Sequence, residues 1–222
     1  MILASVFSGW GADLPHLLSG LGVALELTGV SLLLGFPGGL LTALLVSSRS
    51  RLARLLGLAI VEVGRGLPLL VLLYIVYQGL PQINLSLTSF VSAVAAFAWS
   101  TAAYSSEMFR ASLNALPKGQ TEAALAAGMG QVDMLRFVLL PQALRIAIPP
   151  LLNLAVQIFQ ATSLAYVIVV PEIMQHAYYL GTVSFLYLNV FLLAGLLYAA
   201  VTLPSSALIA LLERRLSRHT SV

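Results

Sequence analysis

Long uncharged apolar stretches alternate along the chain with short polar ones. A helix rises about 1.5 Å per residue, so crossing about 30 Å of hydrocarbon takes about 20 mainly apolar residues. Leu27 to Ser48 carries no charge and the apolar pattern reaches back past Glu26 to Leu17, which predicts a first span near 18–47. Gly66 to Ser106 is uncharged but too long for one span, and Gly79-Leu80-Pro81-Gln82-Ile83-Asn84 interrupts it with a turn signal. Spans near 58–79 and 86–108 follow. Ile146 to Val170, and Gln175 to Leu212 after its polar, aromatic opening, predict two more near 146–170 and 186–212. The pattern is that of an all-α integral membrane protein with five transmembrane helices in one domain covering 1–222. Pro37 and Pro204 fall inside the first and fifth spans, either as bends or as tolerated residues.

The basic residues orient these spans, because Lys and Arg collect in cytoplasmic loops. Arg49, Arg51 and Arg54 lie after span one; Arg110, Lys118, Arg136 and Arg145 between spans three and four; Arg214, Arg215 and Arg218 after span five. The loops around Pro81 and from Pro171 to Ser184 hold none, and Arg65 opens span two on the basic side. The expectation is an N-terminus outside, a C-terminus inside, and no cleaved signal peptide. Composition agrees, with 59% hydrophobic and 9% charged residues, against roughly 25% charged in soluble domains. The +3 net charge is then a report of orientation, with no nucleic acid implied. Without cysteine there is no thiol nucleophile, and His16, His176 and His219 are too scattered to suggest a metal site.

The polar segment 111–145 is the longest, and it is ordered by its own residues. Leu116-Pro117-Lys118-Gly119 reads as a turn, Thr121 as the cap of a short helix with Glu122 in its first turn, and Gly128 as a left-handed stop. About two turns of helix are marginal alone in water. Such a helix either docks into a groove on another protein or lies on the membrane surface.

Glu122-Ala123-Ala124, then three residues, Gly128, nine residues and Val138-Leu139-Leu140-Pro141 resemble the EAA loop of bacterial ABC importer permeases, with Val138 at the Ile position. Val61-Glu62, Arg65 to Leu70, Ala103-Tyr104, Glu107-Met108-Phe109-Arg110, Leu116 to Gln120, Leu140 to Arg145, Thr162-Ser163-Leu164 and Pro171-Glu172 resemble the polar amino-acid branch of that family. The resemblance runs from about residue 17 to the end. It implies a permease of the bacterial inner membrane, in which Glu122, Ala123, Ala124, Gly128 and Pro141 belong to a coupling loop seated in an ATPase subunit. It further implies a second permease copy, identical or different, an extracytoplasmic solute-binding protein, and an amino-acid substrate. The chain has no G-x-x-x-x-G-K-[ST] loop, and its one lysine is Lys118. ATP and magnesium would therefore be bound by the partner, and this chain would carry no catalytic site.

Within the spans, Glu62 with Arg65 and Glu107 with Arg110 are i,i+3 pairs, read as structural ahead of a gate. Asn153, Gln157 and Gln160 share one stripe of span four, followed by Thr162 and Ser163. Together with Thr101 and Tyr104 of span three they are candidates for a substrate path, with interhelical hydrogen bonding an equal alternative. Relatives often carry Asp or Asn where this chain has Ala161, which disfavours a cationic substrate side chain. The loop 171–184, with Glu172, His176, Tyr178 and Tyr179, reads as an ordinary wet turn ahead of a docking surface. The competing functional class is an autonomous secondary transporter or channel using Glu26 or Glu62 for protons, for which no internal repeat is visible.

Overall fold

The computed structural model describes residues 9–217, which are helical throughout apart from short connections. Arg218 and His219 lie outside the described residues. Helix α1 spans Trp10–Val46 and α2 Arg51–Gly66. α3 spans Leu69–Tyr74 and continues through a wide turn to Ile83. α4 is Ser89–Asn114, α5 Lys118–Ala126, α6 Leu140–Ala161, α7 Ile173–Ser184 and α8 Tyr187–Ser217. Tighter 3-10 turns over Thr162–Ile168 extend α6. Pro37 and Pro204 interrupt neither α1 nor α8.

Three helical stretches are long and apolar enough to cross a membrane, Trp10–Val46, Gln131–Ile168 and Tyr187–Arg215; a bent pair makes a fourth if counted as one span. That pair covers the expected span near 58–79 and is broken within it. Arg51–Gly66 and Leu69–Ile83 meet at 108°, because Leu67-Pro68 breaks the helix: the residue before a proline is driven to extended backbone, and Leu67 has ψ 137°. The expected span at 86–108 is α4, a helix of 26 residues, about 39 Å long. Its composition alone does not mark it as spanning, because its surroundings are mostly protein. Ser92, Ser100, Thr101, Ser105, Ser106 and Ser112 are all buried along it, where small residues let helices approach closely.

The closest approach is between α4 and α1. A Cβ on Gly35 would lie 2.5 Å from Thr101 Cβ, and one on Gly39 would meet Ser105 Oγ and come within 2.9 Å of the Ala102 carbonyl. Gly35 faces Thr101 and Gly39 faces Ser105, so the two helices run parallel. On this axis the main apolar cluster gathers Leu27 of α1, Leu72 and Leu73 of α3, Phe97 of α4, and Leu154 and Ile158 of α6.

At the end of α1 that carries Gly20, a second node closes the fold. Past Val169, which turns the chain at φ 62°, Glu172 is fully buried. It lies between the 3-10 turns and α7, beyond the spanning stretch that ends at Ile168. Its Oε1 accepts from the Gln175 amide at 2.8 Å, and its Oε2 from the Met174 amide at 2.8 Å and the Tyr198 hydroxyl at 2.7 Å. These bonds start α7 as a helix cap, so the expected wet turn at 171–184 is in fact a helix begun by a buried acid. Burial pushes the carboxyl up to about 7 against the opposing pull of its three donors.

Two measurements follow. Gly39→Leu is expected to destabilise the protein in detergent by about 1–3 kcal/mol or more, as overpacking does, while Gly29→Leu, where a Cβ meets nothing within 4 Å, leaves the melting temperature near that of the parent. Folding raises the Glu172 pKa, so the folded state holds that proton more tightly than the unfolded one. This contribution to stability is therefore present in full below about pH 4.5, falls as pH rises to about 7, and is level above. Thermal unfolding at a series of pH values should show that fall in the parent, and Glu172→Gln should remove it.

Candidate functional site

α5 is held away from the main bundle, at the opposite end of α1 from Glu172. Its start differs from the expected cap at Thr121. Pro117 precedes the first helical residue, the Gln120 amide bonds the Pro117 carbonyl at 3.0 Å, and Thr121 lies inside the helix. Proline supplies a fixed φ suited to a helix entrance, so α5 starts four residues earlier than expected and Glu122 stands past its first turn. The end is as expected. Gly128 takes φ +76°, its amide bonds Leu125 O at 3.0 Å, and the Met129 amide reaches Ala124 O at 3.0 Å. This double closure needs a left-handed residue, and glycine adopts that conformation without steric penalty.

α5 buries Ala124 and presents Glu122, Ala123 and Leu125. Leu125, Val132 and Phe137 are 55%, 76% and 61% exposed around the same loop. The loop is tied back to α6 by Gln142, whose amide donates to Gln120 Oε1 at 3.0 Å and to the Val138 carbonyl at 2.9 Å. Between them Met134–Leu139 forms a π-helical stretch, and Pro141 occupies the start of α6. The result is a short helix with an apolar and acidic outer surface, fixed to a long helix through one polar bridge.

Of the two expected i,i+3 pairs, Glu107 with Arg110 forms and Glu62 with Arg65, among the described residues, does not. Arg65 instead lies 3.9 Å from Glu107, which also accepts from Arg110 at 2.7 Å. The Arg65 guanidinium stands 5.7 Å from the centre of the Tyr104 ring. The reason is packing between helices: the Trp99 indole of α4 donates to the Ile60 carbonyl at 3.1 Å, which sets the end of α2 beside the Tyr104 and Glu107 turn. Tyr104 therefore joins the charge cluster.

The proposed path residues are not gathered within one chain. Thr101 and Thr162 are buried and bond the Phe97 and Phe159 carbonyls of their own helices at 2.7 Å each. Ser163 bonds the Gln160 carbonyl at 2.8 Å and Asn153 the Pro149 carbonyl at 3.3 Å. Asn153, Gln157 and Gln160 are exposed along one face of α6. An apolar cavity of about 340 Å³ between α1, α6 and α8 is lined by Leu25, Val156, Phe159, Val201 and Ile209 among others, and that stripe is not part of it.

At the other end His16 of α1 and His176 of α7 share a cavity of about 370 Å³ with Gln175 and Tyr179. Burial and the neighbouring His16 hold the His176 imidazole below its ordinary pKa. Sequence spacing gave no hint of this meeting or of the Glu172 bond to Tyr198. Among the described residues no group of three or more His, Asp or Glu gathers to hold a metal.

Residues 35–218 match the family of binding-protein-dependent transport system inner membrane components. The probable amino-acid ABC transporter permease protein YckA of Bacillus subtilis is 34% identical over 205 residues, 92% of this chain and 91% of the relative. The L-cystine transport system permease protein TcyB of the same organism is 37% identical over 208 residues, 93% and 89% of the two chains. The glutamate/aspartate import permease protein GltK of Escherichia coli is 33% identical over 211 residues, 91% and 94%. Among solved structures, a chain of an amino acid ABC transporter crystallised with histidines superposes with a TM-score of 0.89 at 32% identity, over 94% of this chain and 98% of that one. An inward-facing MetNI methionine ABC transporter shares the fold, with a TM-score of 0.72 at 20% identity over 89% and 96%. A bundle built on a buried small-residue axis, with a projecting Glu122-Ala123-Ala124 helix stopped at Gly128, is what this match in sequence and fold accounts for: the chain belongs to the inner-membrane permease family of ABC transporters.

Proposed function

We propose that this chain is the membrane subunit of an importer for a polar amino acid or close analogue, driven by a separate ATPase subunit and fed by a solute-binding protein. The observation that carries the reading is α5. Most of its length is exposed, its end is locked by Gly128, and it is joined to α6 through Gln142, so a push on α5 is transmitted to a long helix. The chain has no phosphate loop, so the energy enters from another subunit. The relatives named for amino-acid permeases support the substrate class. They favour this reading over an autonomous transporter working through Glu26 or Glu62, both of which are exposed on the chain surface.

In this reading the spans are α1, the bent α2–α3 pair, α4, α6 and α8, with the N-terminus outside and α5 in the cytoplasm. The parallel course of α1 and α4 supports the count, since one return crossing must separate them. The basic residues of the α1–α2, α4–α6 and C-terminal segments support the orientation. The exposed Asn153, Gln157 and Gln160 stripe suits the face turned to a second permease copy, because polar side chains at membrane depth are stable against protein or water and costly against lipid.

Two changes at Gly128 separate backbone from bulk. A Cβ there meets nothing within 4 Å inside the chain, so the intramolecular penalty is conformational. Gly128→Val forces a β-branched residue into the left-handed region at about 1–3 kcal/mol, roughly tenfold or more in coupled uptake. Gly128→Asn tolerates that conformation and should stay within severalfold of the parent. Both proteins should still reach the membrane. Uptake and ATP hydrolysis measured together test this: Gly128→Val should hydrolyse ATP with little transport, and full coupled uptake by that variant would refute the role given to α5.

A further inference from the structure

A fully buried ionisable group lies at the far end from α5. Glu172 is buried, no Lys or Arg among the described residues acts on it, and all its bonds are made inside the protein. Two of its donors are backbone amides at the start of α7, and the third is the hydroxyl of Tyr198, midway along α8. Its main chain is pressed onto α1 as well. A Cβ on Gly20 would fall 2.7 Å from both Glu172 C and Ile173 N. Trp10 of α1 donates to Asn189 of α8 at the same end, and Phe159 of α6 stacks at a tilt on Tyr198, 5.4 Å between ring centres. Four elements therefore meet on one carboxylate and its phenol partner.

A cap alone does not need this arrangement. Ser, Thr, Asp or Asn caps a helix with one short side chain at the surface, where charge costs little. The buried position costs desolvation and gains a bond across to a different helix. That bond makes α7 and α8 one body at this end, resting on α1.

We propose that Glu172 is a positioning residue for transport: its carboxylate, bonded to Tyr198, fastens α7 to α8 so that movement begun at α5 is carried through the bundle to the opposite surface. The proposal rests on the transport reading above and adds the site at which that movement is held. A carboxylate accepts all three bonds, whereas a protonated carboxyl must donate with one oxygen, so the joint is sensitive to its own proton. The titratable group facing it is Tyr198 from α8; His176 on α7 and His16 on α1 act on each other, and neither acts on Glu172. The Thr162 hydroxyl reaches Tyr198 from the end of α6. His16 and His176 line a separate cavity, and Glu172 is the ionisable group that bonds both α7 and α8.

The test uses the complete transporter, reconstituted with its ATPase and binding protein, as parent, Tyr198→Phe and Glu172→Gln. Hydrogen exchange at the Met174 and Gln175 amides reads the joint without reference to transport. Losing the phenol donor should speed exchange there roughly tenfold while α5 amides are unchanged. Uptake is then measured across about pH 6 to 8. Tyr198→Phe should keep the ATPase bound and basal ATP hydrolysis within about twofold, lower uptake roughly tenfold, and move the midpoint of its pH dependence upward, because a donor to the carboxylate is gone. Glu172→Gln should flatten that dependence; if it does not fold, Tyr198→Phe decides alone. Unchanged amide exchange in Tyr198→Phe overturns the joint. Faster exchange with parental uptake and pH profile overturns its part in transport. A parent with no ATP-dependent uptake overturns the transport reading itself, and the exchange result still reports on the joint.

Discussion

The contact between α1 and α4 is the constraint on which the bundle depends. Two helices in a membrane gain little from exclusion of water, so their attraction comes from dispersion at short range and from hydrogen bonds. Gly35 and Gly39 supply the short range, and Thr101 and Ser105 fill the space that a side chain on α1 would take. The hydroxyl of Thr101 is satisfied by its own helix, which permits a polar residue to serve as packing. Once these two helices are parallel and in register, α2 must return between them, and the 108° break at Leu67-Pro68 lets it do so while α3 fills the apolar cluster around Phe97.

Both ends of this axis carry devices of a different character. One end holds a short helix with a glycine stop and a mostly exposed surface, suited to a partner. The opposite end holds a buried carboxylate whose bonds are complete within the chain. Between them run α4, α6 and α8. The charge cluster of Arg65, Glu107, Arg110 and Tyr104 ties α2 to α4 and reads as part of that stiff frame. Exposed pairs of this kind contribute about 0–1 kcal/mol each, so position is their main effect.

The sequence made some of this plain and hid the rest for identifiable reasons. α1, α6 and α8 are visible in apolar length because each keeps a long, mostly exposed apolar stretch. α4 is hidden from a hydropathy argument because it is surrounded by protein and built of serine and alanine. The Gly128 stop was legible, since a glycine after an alanine-rich turn has one common use. The start of α5 was not, since Thr121 offered a cap of the usual type and Pro117 capped the helix four residues earlier. Glu62 and Arg65 suggested a local pair, and the interhelical bond from Arg65 to Glu107 displaced it. Glu172 was visible only as a loop residue, because Glu is a poor signal for a helix cap and Tyr198 is 26 positions away.

Reconstitution tests the central claim that this chain is a transport subunit coupled to a separate ATPase. The purified chain is placed in liposomes loaded with ATP, with and without the ATPase subunit on the inner side, and the binding protein and a labelled amino acid are supplied outside. Uptake that requires both the ATPase and hydrolysable ATP is the result predicted from the exposed α5 and the missing phosphate loop. Uptake of the same rate by the chain alone would contradict it.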